Sequence, residues 1–187
     1  MIRETKELLI NGQIYTAPVD ILEKSDKENI IKMYNMWKEL SENLSDYGCR
    51  RMNFPEISEL IFCAIFNCWR TNNTPISDHS SFDCYNPQNH ARIQIKAASS
   101  KGELTSFGPK SVWDEIYFMD FYNEGNYDGT FKVYLLPNKD IYEYKMNKNE
   151  TFEDQQKQGR RPRFSLRKLI KELNIKPIGI YNLNKDL

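Results

Sequence analysis

Three polar residues in the middle of the chain have types and a spacing suited to phosphate chemistry. Asp83 lies eleven positions before Gln94, and Lys96 follows Gln94 by two. A carboxylate and an amide oxygen are ligands that Mg²⁺ accepts, and bound Mg²⁺ activates a water molecule and polarises a phosphate. A lysine beside them can orient that water and stabilise the transition state. If the fold brings the three together, they can support hydrolysis of a phosphodiester.

The pattern around these residues predicts a β-hairpin that would bring them together. Apolar and polar residues alternate from 91 to 98, which is typical of a half-buried strand and places Gln94 and Lys96 on the same face. The segment from residue 81 is interpreted as the preceding strand, with the turn at 86–89. Asp83 is then expected beside Gln94 and Lys96 at one end of the sheet.

The rest of the chain predicts a mixed α/β domain with a central β-sheet. Apolar spacing predicts a helix at 26–45, and a second helix is expected from Pro55 to about residue 70. A loop is expected at 71–80. Further strands are expected at 113–122, 131–138, 140–146 and 176–183. One further helix is expected at 166–174, with Ser165 as its cap. Residues 1–187 are interpreted as one domain, with a helical part at 1–50.

Composition predicts a soluble globular protein of the cytoplasm. Of 187 residues, 40% are apolar, which is enough for a hydrophobic core, and 28% are charged, which is typical of a soluble protein. No apolar stretch has the length of a membrane span. The first residues are too polar for a signal peptide. The four cysteines form no C-x-x-C pair, and the two histidines do not complete a zinc site with them, so we expect reduced thiols.

The net charge of zero conceals a strong asymmetry along the chain. Residues 145–176 hold ten basic and four acidic side chains, a net charge of +6, and the rest of the chain therefore carries −6. This indicates an anionic partner that meets one region. Within it, the segment 151–165, here called the basic loop, offers side chains for DNA phosphates or base edges. These candidates are Gln155, Gln156, Arg160, Arg161 and Arg163. The alternative is a solvated loop that caps the last helix.

A second candidate DNA surface follows the strand of Lys96 directly. Residues 99–110 form a loop rich in serine and lysine that could bind a nucleic-acid backbone close to Lys96. The candidates are Ser99, Ser100, Lys101 and Ser106. The alternative is an ordinary flexible loop.

The central trio resembles the signature of the PD-(D/E)XK nucleases, in which an aspartate is followed on the adjoining strand by acid-x-lysine. Asp83 matches the aspartate and Lys96 the lysine, whereas Gln94 stands where the family usually has Glu or Asp. These enzymes often add a glutamate from a preceding helix. Glu59 matches it, and Glu56, one turn earlier, is the rival. The departure at Gln94 weakens the expected metal affinity, because an amide carries no charge.

Two longer stretches resemble small bacterial type II restriction endonucleases, some of which cut short, interrupted GC-rich palindromes. They are 104–118 and the basic loop, which contains D-Q-Q-x-x-G-R-R-P-R-F-S. The resemblance runs from about Glu56 to the C-terminus. It implies a restriction-endonuclease-like mixed central sheet flanked by helices, and Mg²⁺-dependent hydrolysis of double-stranded DNA that leaves a 5′-phosphate and a 3′-hydroxyl.

The resemblance also implies roles for individual residues. Asp83 would be the main metal ligand, with Gln94 as a weak second ligand and the backbone carbonyl of Ile95 as a third. Glu59 would bind metal through water or hold Lys96, which would orient the attacking water.

A palindromic site demands two active sites related by a two-fold axis, so a homodimer is expected. The N-terminal helical part, with Met33, Tyr34, Met36 and Trp37, is a possible dimer surface, and core packing of these residues is the alternative. Two other functions stay open. One is a repair or nicking nuclease of the same superfamily, and the other is a catalytically weak DNA-binding module.

Overall fold

The computed structural model describes residues 1–71 and 82–187. Within these residues the strands are β1 (Ile2–Ile10), β2 (Gln13–Ile21), β3 (Trp69–Arg70), β4 (Cys84–Tyr85), β5 (Arg92–Ala98), β6 (Thr105–Ser106), β7 (Glu115–Asp120), β8 (Thr130–Leu136), β9 (Arg163–Phe164) and β10 (Gly179–Asn182). The helices are α1 (Asp26–Asp46), α2 (Ile57–Phe66), α3 (Asn138–Tyr142), α4 (Phe152–Lys157), α5 (Leu166–Glu172) and α6 (Leu183–Asp186). The loop expected at 71–80 lies, apart from its first residue, outside the described residues, as does the first residue of the strand expected from 81.

A large mixed sheet forms the centre of the molecule, in the order β1-β2-β3-β4-β5-β7-β8-β10. β5 and β7 run parallel, with Ile95 opposite Tyr117, and the other neighbouring strands are antiparallel. β6 and β9 form a separate two-stranded sheet. The predicted α/β class, with a mixed central sheet flanked by helices, is confirmed.

Both faces of the central strands are covered by helices. On one face, Ile95 of β5 belongs to the same buried cluster as Ile61 of α2 and residues of α1. On the other face, Phe118 of β7 clusters with Phe152 of α4 and Leu169 of α5. Each fully buried side chain of this size stabilises the fold by about 1.5–3 kcal/mol. The sheet therefore gives a rigid base to any side chain that projects from the end of β5.

The predicted central hairpin is present, but its pairing is short. Cys84 lies opposite Ile93, and β4 contributes only two residues to the ladder. Asn86 closes the turn, because its backbone N–H donates to Ala91 O at 3.0 Å and its side chain accepts from the N–H of Gln88 at 2.9 Å. β5 therefore extends beyond β4, and Asp83 stands at the point where the two strands separate.

The first 21 residues differ from the helical part expected at 1–50. The helix predicted at 26–45 is α1, but β1 and β2 form an antiparallel hairpin with Ile10 opposite Gln13. Its two-residue turn is Asn11-Gly12, with φ of 51° and 80°, and a turn with positive φ at both positions matches the twist of a hairpin. Charged residues at many of the outward positions obscure the alternation of apolar and polar residues in these two strands. The Asn-Gly pair was the sequence signal that could have predicted the hairpin.

Two further elements differ from prediction. Residues 140–146 are not a strand, because Pro137 opens the short helix α3, and the large residues that follow pack irregularly against α4. The second helix ends at Phe66 rather than near residue 70, because Asn67 takes a left-handed conformation with φ of 53°. By contrast, Ser165 caps α5 as predicted, since its side chain accepts from the N–H of Lys168. In the described residues, no helix has the length and apolarity to span a membrane.

Candidate active site

An open cleft of about 590 Å³ lies where β4 and β5 separate and α2 begins. Its floor carries carboxylates and its walls carry basic and hydroxyl side chains. The lining residues are Phe54, Pro55, Glu56, Ser58, Glu59, Asp83, Gln94, Ile95, Lys96, Ala97, Ser106, Gly108, Pro109, Lys110, Ser111 and Arg161. The structure therefore brings the predicted aspartate, lysine and helical glutamate into one cavity.

Asp83 is fixed in this cleft by bonds to both its backbone and its carboxylate. Its backbone N–H donates to Ile93 O at 2.9 Å. Its Oδ2 accepts from the N–H of Ile95 at 2.6 Å and from the side-chain amide of Gln94. Asp83 is only 4% exposed, and burial raises its pKa, which the positive charge of Lys96 and the Ile95 N–H oppose. The carboxylate is held in place but carries an electrostatic cost that a cation would relieve.

Glu59 reaches the same cleft from the first turn of α2. It is 7% exposed, and its Oε2 accepts from Nε of Arg70 in β3 at 2.6 Å. Burial raises the pKa of Glu59 to about 7, the charge of Asp83 adds to this, and Arg70 opposes it. Glu56 also lines the cleft, but it is exposed and precedes the first residue of α2. Glu59 is therefore the buried helical glutamate of the cleft, and the charge of Glu56 raises the pKa of both Glu59 and Asp83 from a more exposed position.

Lys96 projects from β5 on the same face as Gln94. It is half-buried, and its Nζ lies 5.3 Å from the centre of the Phe107 ring. A ring at this distance attracts an ammonium group and restricts its freedom. Gln94, by contrast, is 2% exposed rather than solvated. The polar face of β5 is thus covered everywhere except at the cleft.

The donor set of the cleft fits a hard divalent cation. Two buried carboxylates with raised pKa values face it, and the backbone carbonyl of Ile95 lies on the same edge of β5 as the N–H that bonds Asp83. Gln94 turns its amide nitrogen to Asp83, which leaves its carbonyl oxygen for other contacts. In the described part of the chain, no group of three or more His, Cys, Asp or Glu residues is placed to hold a metal. The two carboxylates of the cleft are nevertheless enough for Mg²⁺, which binds through one or two carboxylates together with water and substrate phosphate.

The basic loop, which contains the short helix α4 and the strand β9 rather than loop alone, forms one wall of the cleft. β9 pairs with β6 so that Arg163 lies opposite Ser106, and the N–H of Phe107 donates to Pro162 O at 3.1 Å. Arg161 and Ser106 both line the cleft. The two stretches that resemble restriction endonucleases, 104–118 and the basic loop, therefore meet as one surface.

The other predicted residues of the basic loop fall into different environments. Arg160 forms an ion pair with Glu150 at 2.5 Å, and the amide of Gln155 donates to the same carboxylate at 3.3 Å. Gln156 bonds to backbone carbonyls within the protein. Arg163 is exposed, with no ion pair among the residues that the structure describes.

The predicted surface after β5 is only partly available to DNA. Ser99 is 2% exposed, and its backbone bonds to Glu103 and Tyr127, so it leaves no free surface in this structure. Ser100 is half-buried and bonds to Glu103 as well. Lys101 is exposed at the tip of this loop but does not line the cleft.

Two residues of the site were not singled out by the sequence. Arg70 pairs with Glu59 from eleven positions away, and no local pattern links the two. Lys110 lines the cleft from a turn of the 104–118 segment. It belongs to the loop 99–110 that was expected to bind DNA, but it was not among the candidates named there.

Comparison with known proteins identifies the family of the chain. A family model described as Bsp6I restriction endonuclease matches residues 22–173, which include the whole cleft but not the β1–β2 hairpin. The type II restriction enzyme Bsp6I from Bacillus sp. (strain RFL6) is 35% identical over 163 residues, which cover 84% of this chain and 88% of that enzyme. No solved structure matches the chain. The chain belongs to the Bsp6I restriction endonuclease family.

Proposed function

We propose that the chain is a Mg²⁺-dependent type II restriction endonuclease of the PD-(D/E)XK superfamily. It hydrolyses phosphodiester bonds of double-stranded DNA at a short, specific site, palindromic and containing G·C pairs. The observation that carries this proposal is the convergence of Glu59, Asp83 and Lys96 in one cleft with a basic wall. The similarity to the type II restriction enzyme Bsp6I supports the same class of reaction.

The cation would be held at the floor of the cleft. Asp83 is the main ligand, and Glu59 binds directly or through water. The side-chain oxygen of Gln94 and the backbone carbonyl of Ile95 complete the set of protein ligands. When bound, Mg²⁺ supplies an activated water and neutralises charge on the phosphate. Lys96 orients the attacking water and donates to a phosphoryl oxygen, and its position over Phe107 limits the entropy lost in doing so. Hydrolysis leaves a 5′-phosphate and a 3′-hydroxyl.

The DNA would lie across the basic wall. Arg161 and Ser106 are the nearest predicted contacts, because they line the cleft itself, and Arg163 extends the surface along β9. Arg160 contributes less charge, since Glu150 neutralises it. Most of these contacts position the backbone, and guanine readout would come from one of the arginines.

A palindromic site requires a two-fold arrangement of active sites, so the enzyme acts as a homodimer in the bacterial cytoplasm. Of the four residues considered for the dimer surface, Tyr34 and Trp37 are buried in the core. Met33 and Met36 are exposed on α1, together with Leu40, and these three are available to a partner.

A second candidate function is a catalytically weak DNA-binding module. The observation that favours it is Gln94, which supplies no negative charge where the superfamily usually has an acid, and which donates to Asp83. Such a protein would bind DNA with the same salt dependence but would not cut it in Mg²⁺. A third possibility, a nicking or repair nuclease, would cut one strand or a particular DNA structure.

One experiment separates these functions. The purified chain is incubated with phage DNA and Mg²⁺, with EDTA as the metal-free control, and the ends of any fragments are sequenced. Discrete fragments with a common end sequence support the restriction endonuclease. Nicks alone would indicate the repair or nicking enzyme. Binding without cleavage would contradict the proposed reaction and favour the binding module.

A further inference from the structure

A tight turn at Gly108–Ser111, here called the rim turn, is bridged by one side chain of α4. Nε2 of Gln156 donates to Gly108 O at 3.2 Å and to Ser111 O at 3.1 Å. One amide nitrogen carries two N–H donors, so a single side chain bonds both ends of the turn. The two carbonyls lie 48 and 45 positions from Gln156 in sequence.

The rim turn itself has a compact conformation. The N–H of Ser111 donates to Gly108 O at 3.3 Å, and Pro109 occupies the position where its fixed φ favours a β-turn. A Cβ on Gly108 would lie 2.8 Å from Oγ of Ser111, so the turn closes against the glycine. On either side of it, Phe107 and Trp113 are buried. The turn is thus anchored at both ends, with its exposed tip facing the cleft.

Lys110 is the charged residue at this tip. It is exposed and lines the cleft that contains Asp83 and Glu59, and it forms no ion pair within 1–71 and 82–187. An unpaired ammonium at the mouth of a cleft with an acidic floor is available to an anionic ligand, and a DNA phosphate is the anion that would pass over it.

We propose that Lys110 contacts a DNA phosphate at the mouth of the cleft, and that Gln156 is a positioning residue that fixes the turn carrying Lys110. This assignment depends on the proposed nuclease function and replaces the sequence-based expectation that Gln156 contacts DNA. Both N–H donors of its side chain are engaged by backbone carbonyls, so the amide has no donor left for a base edge.

The first test measures DNA affinity of Lys110→Ala as a function of salt. A fluorescein-labelled DNA duplex is titrated with protein in EDTA, which prevents cleavage, and Kd is followed by anisotropy from low to physiological salt. We expect affinity to fall roughly tenfold and the slope of log K against log salt to decrease by about 1. Lys185→Ala, an exposed lysine on α6 at the far edge of the sheet, is the matched control. An unchanged slope in Lys110→Ala would overturn the contact.

The second test is a double-mutant cycle between Lys110 and Gln156. Gln156→Met keeps the length of the side chain but removes both N–H donors. If Gln156 acts through Lys110, adding Lys110→Ala to Gln156→Met should cost much less affinity than it costs in the parent. Gln158→Ala, whose amide bonds only Glu150 among the described residues, is the control and should show additivity. Additive losses for Gln156 and Lys110 would reduce Gln156 to a general structural role and overturn the positioning assignment.

Cleavage of phage DNA by the same proteins separates failure of this inference from failure of the proposed function. If the parent gives no fragments, the nuclease function fails, whatever the binding data show. If the parent cuts and Gln156→Met keeps the same fragment pattern with a raised KM, the positioning role is supported. A relaxed fragment pattern in Gln156→Met would instead mean that Gln156 reads a base, and would overturn the inference.

Discussion

Glu59 in the floor of the cleft and Glu150 beside the basic loop are each paired with one arginine, yet their acidities shift in opposite directions. Arg70 lies 2.6 Å from Glu59, and Arg160 lies 2.5 Å from Glu150. Burial raises the pKa of Glu59 to about 7 despite its arginine. Hydrogen bonds from Arg160 and neighbouring amides lower the pKa of Glu150 to about 2.

The difference shows that desolvation, rather than the presence of an arginine, determines whether the pKa of the paired glutamate rises or falls. Glu59 is buried beside a second carboxylate, Asp83, and one guanidinium does not compensate both. Glu150 keeps partial contact with water, and the hydrogen bonds that it gains outweigh its smaller desolvation. The carboxylates of the floor therefore keep an electrostatic cost that a cation would relieve, whereas the charge of Glu150 is already balanced by Arg160.

The largest effect on cleavage is expected for the cleft variant Lys96→Ala. Loss of the ammonium that we propose orients the attacking water should reduce the cleavage rate by about 10²–10⁴-fold, while DNA affinity in EDTA changes little. The rate of plasmid cleavage under single-turnover conditions and the Kd by anisotropy measure the two quantities. A variant that cuts as fast as the parent would remove Lys96 from the active site.

The two arginines of the comparison predict different losses of stability. Arg70→Ala leaves Glu59 buried without its partner and should lower the free energy of unfolding by about 3 kcal/mol near neutral pH. Arg160→Ala breaks a partly exposed pair and should cost much less, because solvent screens that pair. Urea unfolding of both variants measures the difference. Equal losses would contradict the contrast between floor and loop.

Adjacent arginines of the basic loop should differ in DNA binding. Arg161→Ala removes a charge that lines the cleft and should weaken binding by roughly tenfold. Arg160→Ala should have a smaller effect, because Glu150 already neutralises that charge. If Arg161 contacts phosphate, its loss is similar across sequences and flattens the salt slope, whereas a guanine contact concentrates the loss at one base position. A larger effect at Arg160 would reverse the assignment.

The pH dependence of stability should have opposite signs for the two glutamates. The folded-state pKa of Glu59, about 7, exceeds its ordinary value of 4.5, so its contribution to stability is present below pH 4.5 and is lost as pH rises to about 7. The expected slope is at most about 1.4 kcal/mol per pH unit. The pKa of Glu150 is lowered to about 2 from 4.5, so its contribution is present above pH 4.5 and is lost as pH falls to about 2.

Urea unfolding in EDTA across this pH range tests both signs. Glu59→Gln should flatten the decline between pH 4.5 and about 7, although the raised pKa of Asp83 leaves part of it. Glu150→Gln should differ from the parent near neutral pH and converge with it near pH 2. An unaltered decline in Glu59→Gln would show that another group controls it.

The sequence could predict those parts of the fold and the site that depend on neighbouring residues. Alternation along β5 placed Gln94 and Lys96 on one face, and the turn residues at 86–89 placed Asp83 next to them. The cap at Ser165 was also local, because a serine oxygen bonds an N–H three residues later. The hairpin at 2–21 carried an equally local signal in its Asn11-Gly12 turn, so that part of the fold was also encoded by neighbouring residues.

Only the tertiary structure decided which of the basic and polar side chains serve the cleft. Gln155 and Gln156 are adjacent and chemically identical, yet one bonds to Glu150 and the other to a turn 45 to 48 positions away. The same holds for Arg70, whose bond to Glu59 depends on how β3 packs beside α2. Short-range periodicity fixes the direction in which a side chain leaves its own element. The partner that it meets depends on how distant elements pack, which no local pattern encodes.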